Sequence, residues 1–245
     1  MKYFSEQHPS GILFSILTHK CDFAHFSYPK TCICHCKRLV RLKNPEIICR
    51  AAFGVLMKTI NFMKSLPSFQ SLPLNDQLIL VQNRWVPLFI LGLAQEQVTF
   101  EVRDVPAASI LRNILMNGQQ KSDDCLPTLA EVHKLKTFLH KVWSLDLSLK
   151  EYSCLKAAIL FSQNLSGLRR SAVMAGLQQE AQRALHMLIL SHPNPRDRHT
   201  FTDVLFMASA LQMEAQSLMT ELFFRPITGQ KDFHELLIEM IVKNC

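Results

Sequence analysis

Apolar positions recur at helical spacing through most of this 245-residue chain, but not in its first part. From Pro45 onward, apolar residues return every three or four positions almost to the end, which is the pattern of helices with one buried face. Residues 1–44 mix aromatic, Cys, His and basic residues without sustained periodicity. The pattern therefore predicts an N-terminal extension over residues 1–44 and one helical domain over residues 45–245.

The helical part divides at turns that contain proline, serine or glycine. A helix that begins near Pro45 is expected to end at Leu66-Pro67. The next helix, from about Leu74 to Ala94, is apolar nearly all round, so we expect it at the centre of the domain. One short strand is expected at residues 98–102. Further helices are predicted over residues 107–116, 129–143, 148–161, 168–190, 198–224 and 232–242.

Composition supports an all-α fold. Only 7 residues are glycine, about half the usual share, which argues against architectures with many tight strand connections. A hydrophobic fraction of 48% allows a large core. The net charge of +7 is too evenly spread to define a nucleic-acid-binding face. We therefore expect helices stacked in layers with one short β element.

Neither catalysis nor metal binding has support in the motifs. His234-Glu235 begins like a zinc-protease helix, but the required second histidine is replaced by Ile238. The Cys-x-Cys-x-Cys segment at residues 32–36 lacks the paired C-x-x-C spacing of a zinc module. We expect no enzyme activity, no metal site and no cofactor.

The apolar runs of the chain predict no membrane span. Residues 85–94 contain Pro87 and are half of the roughly 20 residues that cross a bilayer. The run at residues 11–17 has no small-residue cleavage site after it, so we expect an intracellular chain with reduced thiols. A short basic set could assist nuclear import, although a solvated edge explains it equally well; it consists of Lys37, Arg38, Arg41 and Lys43.

The joint between the first two helices is the most informative stretch. Residues 62–81 contain an aromatic-x-Lys that ends one helix, a Pro-x-Phe-x-x-Leu turn and an Asp-Gln in the first turn of the next helix. This arrangement resembles the signature of nuclear-receptor ligand-binding domains. The resemblance continues through Trp85, residues 150–152 and residues 222–226, so it covers about residues 45–245.

The resemblance implies a surface groove that holds a short helix of another protein. A docked helix leaves unpaired N–H groups at one end and unpaired C=O groups at the other. By resemblance, Glu239 in the terminal activation helix would accept from the unpaired N–H groups, and Lys64 would donate to the unpaired C=O groups. The apolar floor between them would be formed by Leu74, Leu78 and Val81. The terminal helix can instead fold over this groove and occupy it.

Two segments of the chain look like occupants of such a groove, because both have the form L-x-x-I-L. Branched side chains at positions i, i+3 and i+4 share one helical face. The first segment has Leu13, Ile16 and Leu17 outside the periodic core, which favours partner binding. In the second, internal packing and partner docking are equally good explanations; its apolar residues are Leu111, Ile114 and Leu115.

Nuclear receptors usually carry two zinc modules ahead of this domain, and the four cysteines in residues 1–44 cannot supply their eight ligands. The resemblance therefore implies a nuclear transcriptional corepressor that forms heterodimers with other nuclear receptors, competes with coactivators and recruits corepressors without binding DNA. A ligand-regulated receptor, with a small apolar molecule below Trp85, is the alternative hypothesis.

Overall fold

The computed structural model describes residues 38–105, 126–162, 165–191, 202, 216–229 and 231–242. Its elements follow in the order β1 Val40–Leu42, α1 Pro45–Ser65, α2 Pro67–Gln70, α3 Leu74–Gln95, β2 Val102–Asp104, α4 Leu129–Trp143, α5 Leu149–Leu160, α6 Ser171–Ser191, a π-helical turn Thr220–Phe224, α7 Arg225–Thr228 and α8 Phe233–Val242. The predicted all-α fold is confirmed: helices dominate, and the sheet has two strands of three residues each.

Helix α3 lies at the centre of the domain, as its uniform apolar sequence predicts. It packs against α1, α4, α5 and α8, and residues 84–94 are buried without interruption. By length and composition α3 could also cross a membrane, whereas the sequence pattern predicts no span. Because 72% of its most apolar stretch is buried inside the fold, it is the core helix of this domain.

Helices α1 and α3 approach each other closely at Gly92. A Cβ atom added there would lie 2.6 Å from Val55 Cγ1 and 3.3 Å from Thr59 Oγ1. The Thr59 hydroxyl is itself held in place, because it donates to the backbone carbonyl of Val55 at 2.9 Å. The missing side chain at residue 92 therefore sets the distance between the two helices.

We expect Gly92→Ala to lower the free energy of unfolding by about 1–2 kcal/mol, because overpacking against Val55 outweighs the gain in helix propensity. Chemical denaturation measures this change. Gly176→Ala is the matched control in α6, where an added Cβ meets nothing within 4 Å. It should leave stability unchanged or raise it, and equal effects of the two substitutions would contradict the packing argument.

The short β element differs from the prediction. The strand expected at residues 98–102 lies at Val102–Asp104, and its antiparallel partner is β1, which the periodicity did not predict. Val40 and Leu42 alternate with exposed residues and are buried in the core. Residues 38–44 are therefore part of the compact unit, although the expected extension ends at residue 44.

Buried polar groups of α3 hold the segment between α5 and α6. Asp76 is fully buried, and its carboxylate accepts the backbone N–H groups of Arg169 and Arg170, each at 3.1 Å. Arg84 donates to the carbonyl of Ser162 at 3.0 Å, and burial lowers the pKa of its guanidinium to about 10. Asp76, the aspartate of the Asp-Gln pair in residues 62–81, thus fixes the segment that leads into α6.

Candidate helix-binding groove

Lys64 lies in the last turn of α1 and contacts the C-terminal helix of the same chain. Its half-buried ammonium group donates to the backbone carbonyl oxygen of Ile241 at 3.3 Å. Carbonyls in the last turn of a helix have no partner within the helix, so a cation there satisfies one of them and complements the helix dipole. Here the acceptor of Lys64 is the chain's own α8, and donation to a docked helix of another protein stays a prediction.

Helix α8 packs on α1 and α3 through a single apolar face. Phe233, Leu237 and Ile241 are buried at positions i, i+4 and i+8, and Leu237 and Ile241 are 0% and 1% exposed. Leu236 and Met240 are partly buried and pack against the same core. Leu237, Met240 and Ile241 have the i, i+3, i+4 spacing of a leucine motif, so α8 meets the domain as a docked amphipathic helix does.

The remaining predicted groove residues have different environments. Val81 is buried and Leu78 is partly buried against the core, whereas Leu74 is 52% exposed. Glu239 is on the exposed side of α8, between the buried positions of Leu237 and Ile241. The structure therefore brings Lys64 and α8 together, and a clamp of Lys64 and Glu239 on a partner helix stays a prediction.

Side-chain hydrogen bonds hold the joint that positions Lys64. Gln77 Nε2 donates to the carbonyl of Leu72 at 2.9 Å, and Gln70 Nε2 donates to the carbonyl of Lys64 at 2.7 Å. These bonds tie the first turn of α3 and the short α2 to the end of α1. The glutamine of the Asp-Gln pair thus orders the turn beside the groove.

A cluster of aromatic rings surrounds Trp85, where the alternative hypothesis expects a ligand. The centroid of Phe233, in α8, lies 4.8 Å from that of Trp85 and 4.6 Å from that of Phe224. Phe89 and Phe223 extend the cluster, with centroids 5.9 Å apart. These rings bury Trp85 completely and anchor the start of α8, which favours a packed core over a ligand at this point.

One polar atom of this cluster supports the opposite interpretation, a ligand beside Trp85. Trp85 Nε1 is buried and has no hydrogen-bond acceptor among the described residues. A buried donor without a partner costs about 1–3 kcal/mol, and a water molecule or a polar ligand atom would relieve that cost. The ligand-regulated receptor therefore stays a prediction.

Several predicted features lie outside the described residues. They include both leucine motifs, with Leu13, Ile16 and Leu17 in the first and Leu111, Ile114 and Leu115 in the second, and the Cys-rich stretch at residues 32–36. Within the described ranges, no group of three or more His, Cys, Asp or Glu residues could hold a metal ion. Cys49 is a buried core residue, and burial raises the pKa of its thiol to about 11, which makes the thiolate scarce at neutral pH.

Sequence reasoning missed Phe233 as the residue that ties α8 to the core. A phenylalanine four positions before Leu237 continues the apolar stripe of α8 toward its start, so the spacing itself was the available signal. Its ring partners were not predictable, because Trp85 and Phe224 are distant in sequence.

These features define a class: a layered helical domain whose C-terminal helix packs on the first and the central long helices and contacts Lys64. The chain belongs to the nuclear hormone receptors, since the family model for their ligand-binding domain matches residues 37–227.

Two human relatives illustrate its place in that family. The chain is 44% identical to nuclear receptor subfamily 0 group B member 2 of Homo sapiens over 218 residues, which cover 86% of this chain and 84% of the relative. It is 35% identical to member 1 of the same group over 225 residues, covering 83% of this chain and 47% of the relative. The chain thus spans about half the length of member 1. The sequence favours a relative of the small heterodimer partner, which is member 2, over the DAX-type receptor, which is member 1.

Proposed function

We propose that this chain is a nuclear transcriptional corepressor that docks its leucine motifs on other nuclear receptors. In this proposal the motifs occupy the coactivator groove of a partner receptor, and the domain recruits corepressors without contacting DNA. Membership of the nuclear hormone receptors and similarity to subfamily 0 group B support a nuclear, transcription-regulating and non-enzymatic role.

The contact between Lys64 and Ile241 is the observation that carries the proposal. A coactivator helix that entered this groove would need the ammonium group of Lys64, which already binds the carbonyl of α8. The buried side chains of Leu237 and Ile241 already pack against the core. Because Lys64 already contacts α8, and α8 packs on α1 and α3, we infer that the chain is better suited to donating a helix to a partner than to accepting one.

The first leucine motif is the stronger candidate for the donated helix. Leu13, Ile16 and Leu17 would form one apolar face of about one and a half turns, and Ser10 can cap its N-terminus. Binding would then have the hot-spot character of other helix-in-groove contacts, in which a few buried anchors carry most of the affinity.

We expect Leu13→Ala/Leu17→Ala to weaken binding to partner receptor domains at least about tenfold, because two buried anchors are truncated. Leu111→Ala/Leu115→Ala should weaken binding comparably only if the second motif docks as well. Calorimetric titration of the full chain against a panel of nuclear-receptor ligand-binding domains measures both effects.

Thermal unfolding of each variant separates loss of docking from loss of folding. Phe14→Ala/Ser15→Ala changes the same segment outside the i, i+3, i+4 face and should leave binding unchanged. Unchanged binding of both leucine double variants across the whole panel would reject the docking mechanism.

A further inference from the structure

Helix α6 has a row of exposed residues on the side that faces away from the core. Its buried residues are Met174, Ala181 and Leu185. On the opposite side of the helix, exposed residues recur at alternating intervals of three and four positions, which is the heptad spacing by which two helices pack together. This row, the α6 stripe, consists of Val173, Gly176, Glu180, Arg183, Met187 and Leu190.

The α6 stripe is less polar than a helix face that meets only water. All its residues except Glu180 and Arg183 are uncharged, and Met187 is 66% exposed. A groove beside Met187 continues the apolar surface onto α5, where Leu149 is 73% exposed. Solvated helix faces carry mostly charged and polar residues, so this composition is typical of a surface that packs against another protein.

The α6 stripe is complementary to a second copy of itself that runs in the opposite direction. When two α6 helices lie antiparallel about a two-fold axis between residues 181 and 182, each position of the stripe faces another position of the stripe. The facing pairs are Val173 with Leu190, Gly176 with Met187, and Glu180 with Arg183. Each pair occurs twice, because a two-fold axis makes the interface self-complementary.

The facing pairs match in charge and in size. A carboxylate meets a guanidinium group at the centre of the stripe, whereas a parallel pair of helices in register would bring Glu180 against Glu180. An added Cβ atom at Gly176 would meet nothing within 4 Å, so the Met187 side chain of the second copy has room there. Branched apolar side chains meet at both ends. The stripe therefore selects an antiparallel copy of α6 as its occupant.

We propose that the α6 stripe is the interface of a homodimer in which the α6 helices of two chains pack antiparallel. The stripe contains no residue of the contact between Lys64 and α8 and none of the leucine motifs, so this inference does not depend on the proposed function. From Val173 to Leu190 the helix is about 27 Å long. A single helix pair of this length makes a small interface, so we expect a reversible dimer.

Sedimentation velocity of the full chain under reducing conditions tests the homodimer, because its concentration dependence gives the dissociation constant. We expect Glu180→Arg and Arg183→Glu each to weaken dimerisation at least about tenfold, since each brings like charges together twice. An equimolar mixture of these two variants should dimerise about as tightly as the wild type, because opposite charges meet again in the mixed dimer. Gly176→Gln should also weaken dimerisation, because its side chain takes the space of Met187.

Two kinds of control separate α6 pairing from other effects. Arg50→Glu makes the same charge change as Arg183→Glu at an exposed position of α1 and should dimerise like the wild type. The altered α6 positions are exposed, so thermal unfolding at low protein concentration should give melting temperatures near that of the wild type or, for Gly176→Gln, higher.

A further variant separates α6 pairing from docking of a leucine motif on a second copy. The variant with alanine at Leu13, Leu17, Leu111 and Leu115 should dimerise like the wild type. The proposal is overturned if the wild type stays monomeric at every concentration, if either charge reversal dimerises as tightly as the wild type, if mixing the two reversals does not recover dimerisation, or if the leucine-motif variant loses it.

Discussion

Loosening α8 is expected to open the groove: the variant Leu237→Ala/Ile241→Ala should bind an L-x-x-L-L coactivator peptide at least about tenfold more tightly than the wild-type chain. Truncating a buried leucine or isoleucine to alanine typically costs about 2–5 kcal/mol, and these two are the most deeply buried residues of α8. Once the contact with the Ile241 carbonyl is lost, the ammonium group of Lys64 could cap a peptide helix instead. Fluorescence anisotropy with a labelled peptide measures the change.

Controls separate an open groove from general loosening. Val242→Ala changes an exposed residue of α8 and should bind the peptide as weakly as the wild type does. Adding Lys64→Ala to the double variant should abolish the gain, whereas adding Lys58→Ala, on the same α1 helix and paired with Glu96, should not. A double variant that binds the peptide no better than the wild type would contradict the inference that α8 keeps such peptides from Lys64.

Asp76→Ala is expected to lower the free energy of unfolding by about 3 kcal/mol. The buried carboxylate accepts two backbone N–H groups, from Arg169 and Arg170. Its removal leaves both donors without their acceptor, and hydrogen bonds to a charged group are worth about 1.5–3 kcal/mol each. The segment before α6 should detach first, which hydrogen exchange at these two amides would report.

Two further substitutions calibrate this loss, which chemical denaturation measures. Asp76→Asn keeps one acceptor oxygen and should have a smaller effect than alanine. Asp104→Ala breaks an exposed ion pair with Arg38 and should change stability by less than about 1 kcal/mol. Equal effects of the alanine substitutions at residues 76 and 104 would contradict the structural role of the buried carboxylate.

The long helices were predictable because each has one sustained apolar pattern. Helix α4 has the expected bounds of residues 129 and 143, and α1 ends one residue before the predicted Leu66-Pro67 stop. The sheet was misplaced for a physical reason: three residues give little alternation, and β1 pairs with a strand about 60 positions away. The spacing of apolar residues along the chain therefore cannot predict that β1 pairs with β2.

The surroundings of Lys64 were predictable in part. A lysine at the end of α1 is a natural donor to helix carbonyls, and the structure shows that contact with the terminal helix as the acceptor. The apolar face of α8 was visible in the sequence, but the same face fits either the chain's own groove or that of a partner. The packing of Phe233 against Trp85 and Phe224, together with the Lys64 contact, reveals that α8 docks on its own chain.

Competition for a partner's groove tests the central claim most directly. A labelled coactivator L-x-x-L-L peptide is first bound to the ligand-binding domain of a partner receptor, and the full chain is then titrated in while anisotropy is recorded. We predict that the wild-type chain displaces the peptide and that a variant with alanine at Leu13, Leu17, Leu111 and Leu115 does not. Displacement by both chains alike, or by neither across the receptor panel, would contradict repression by leucine-motif docking.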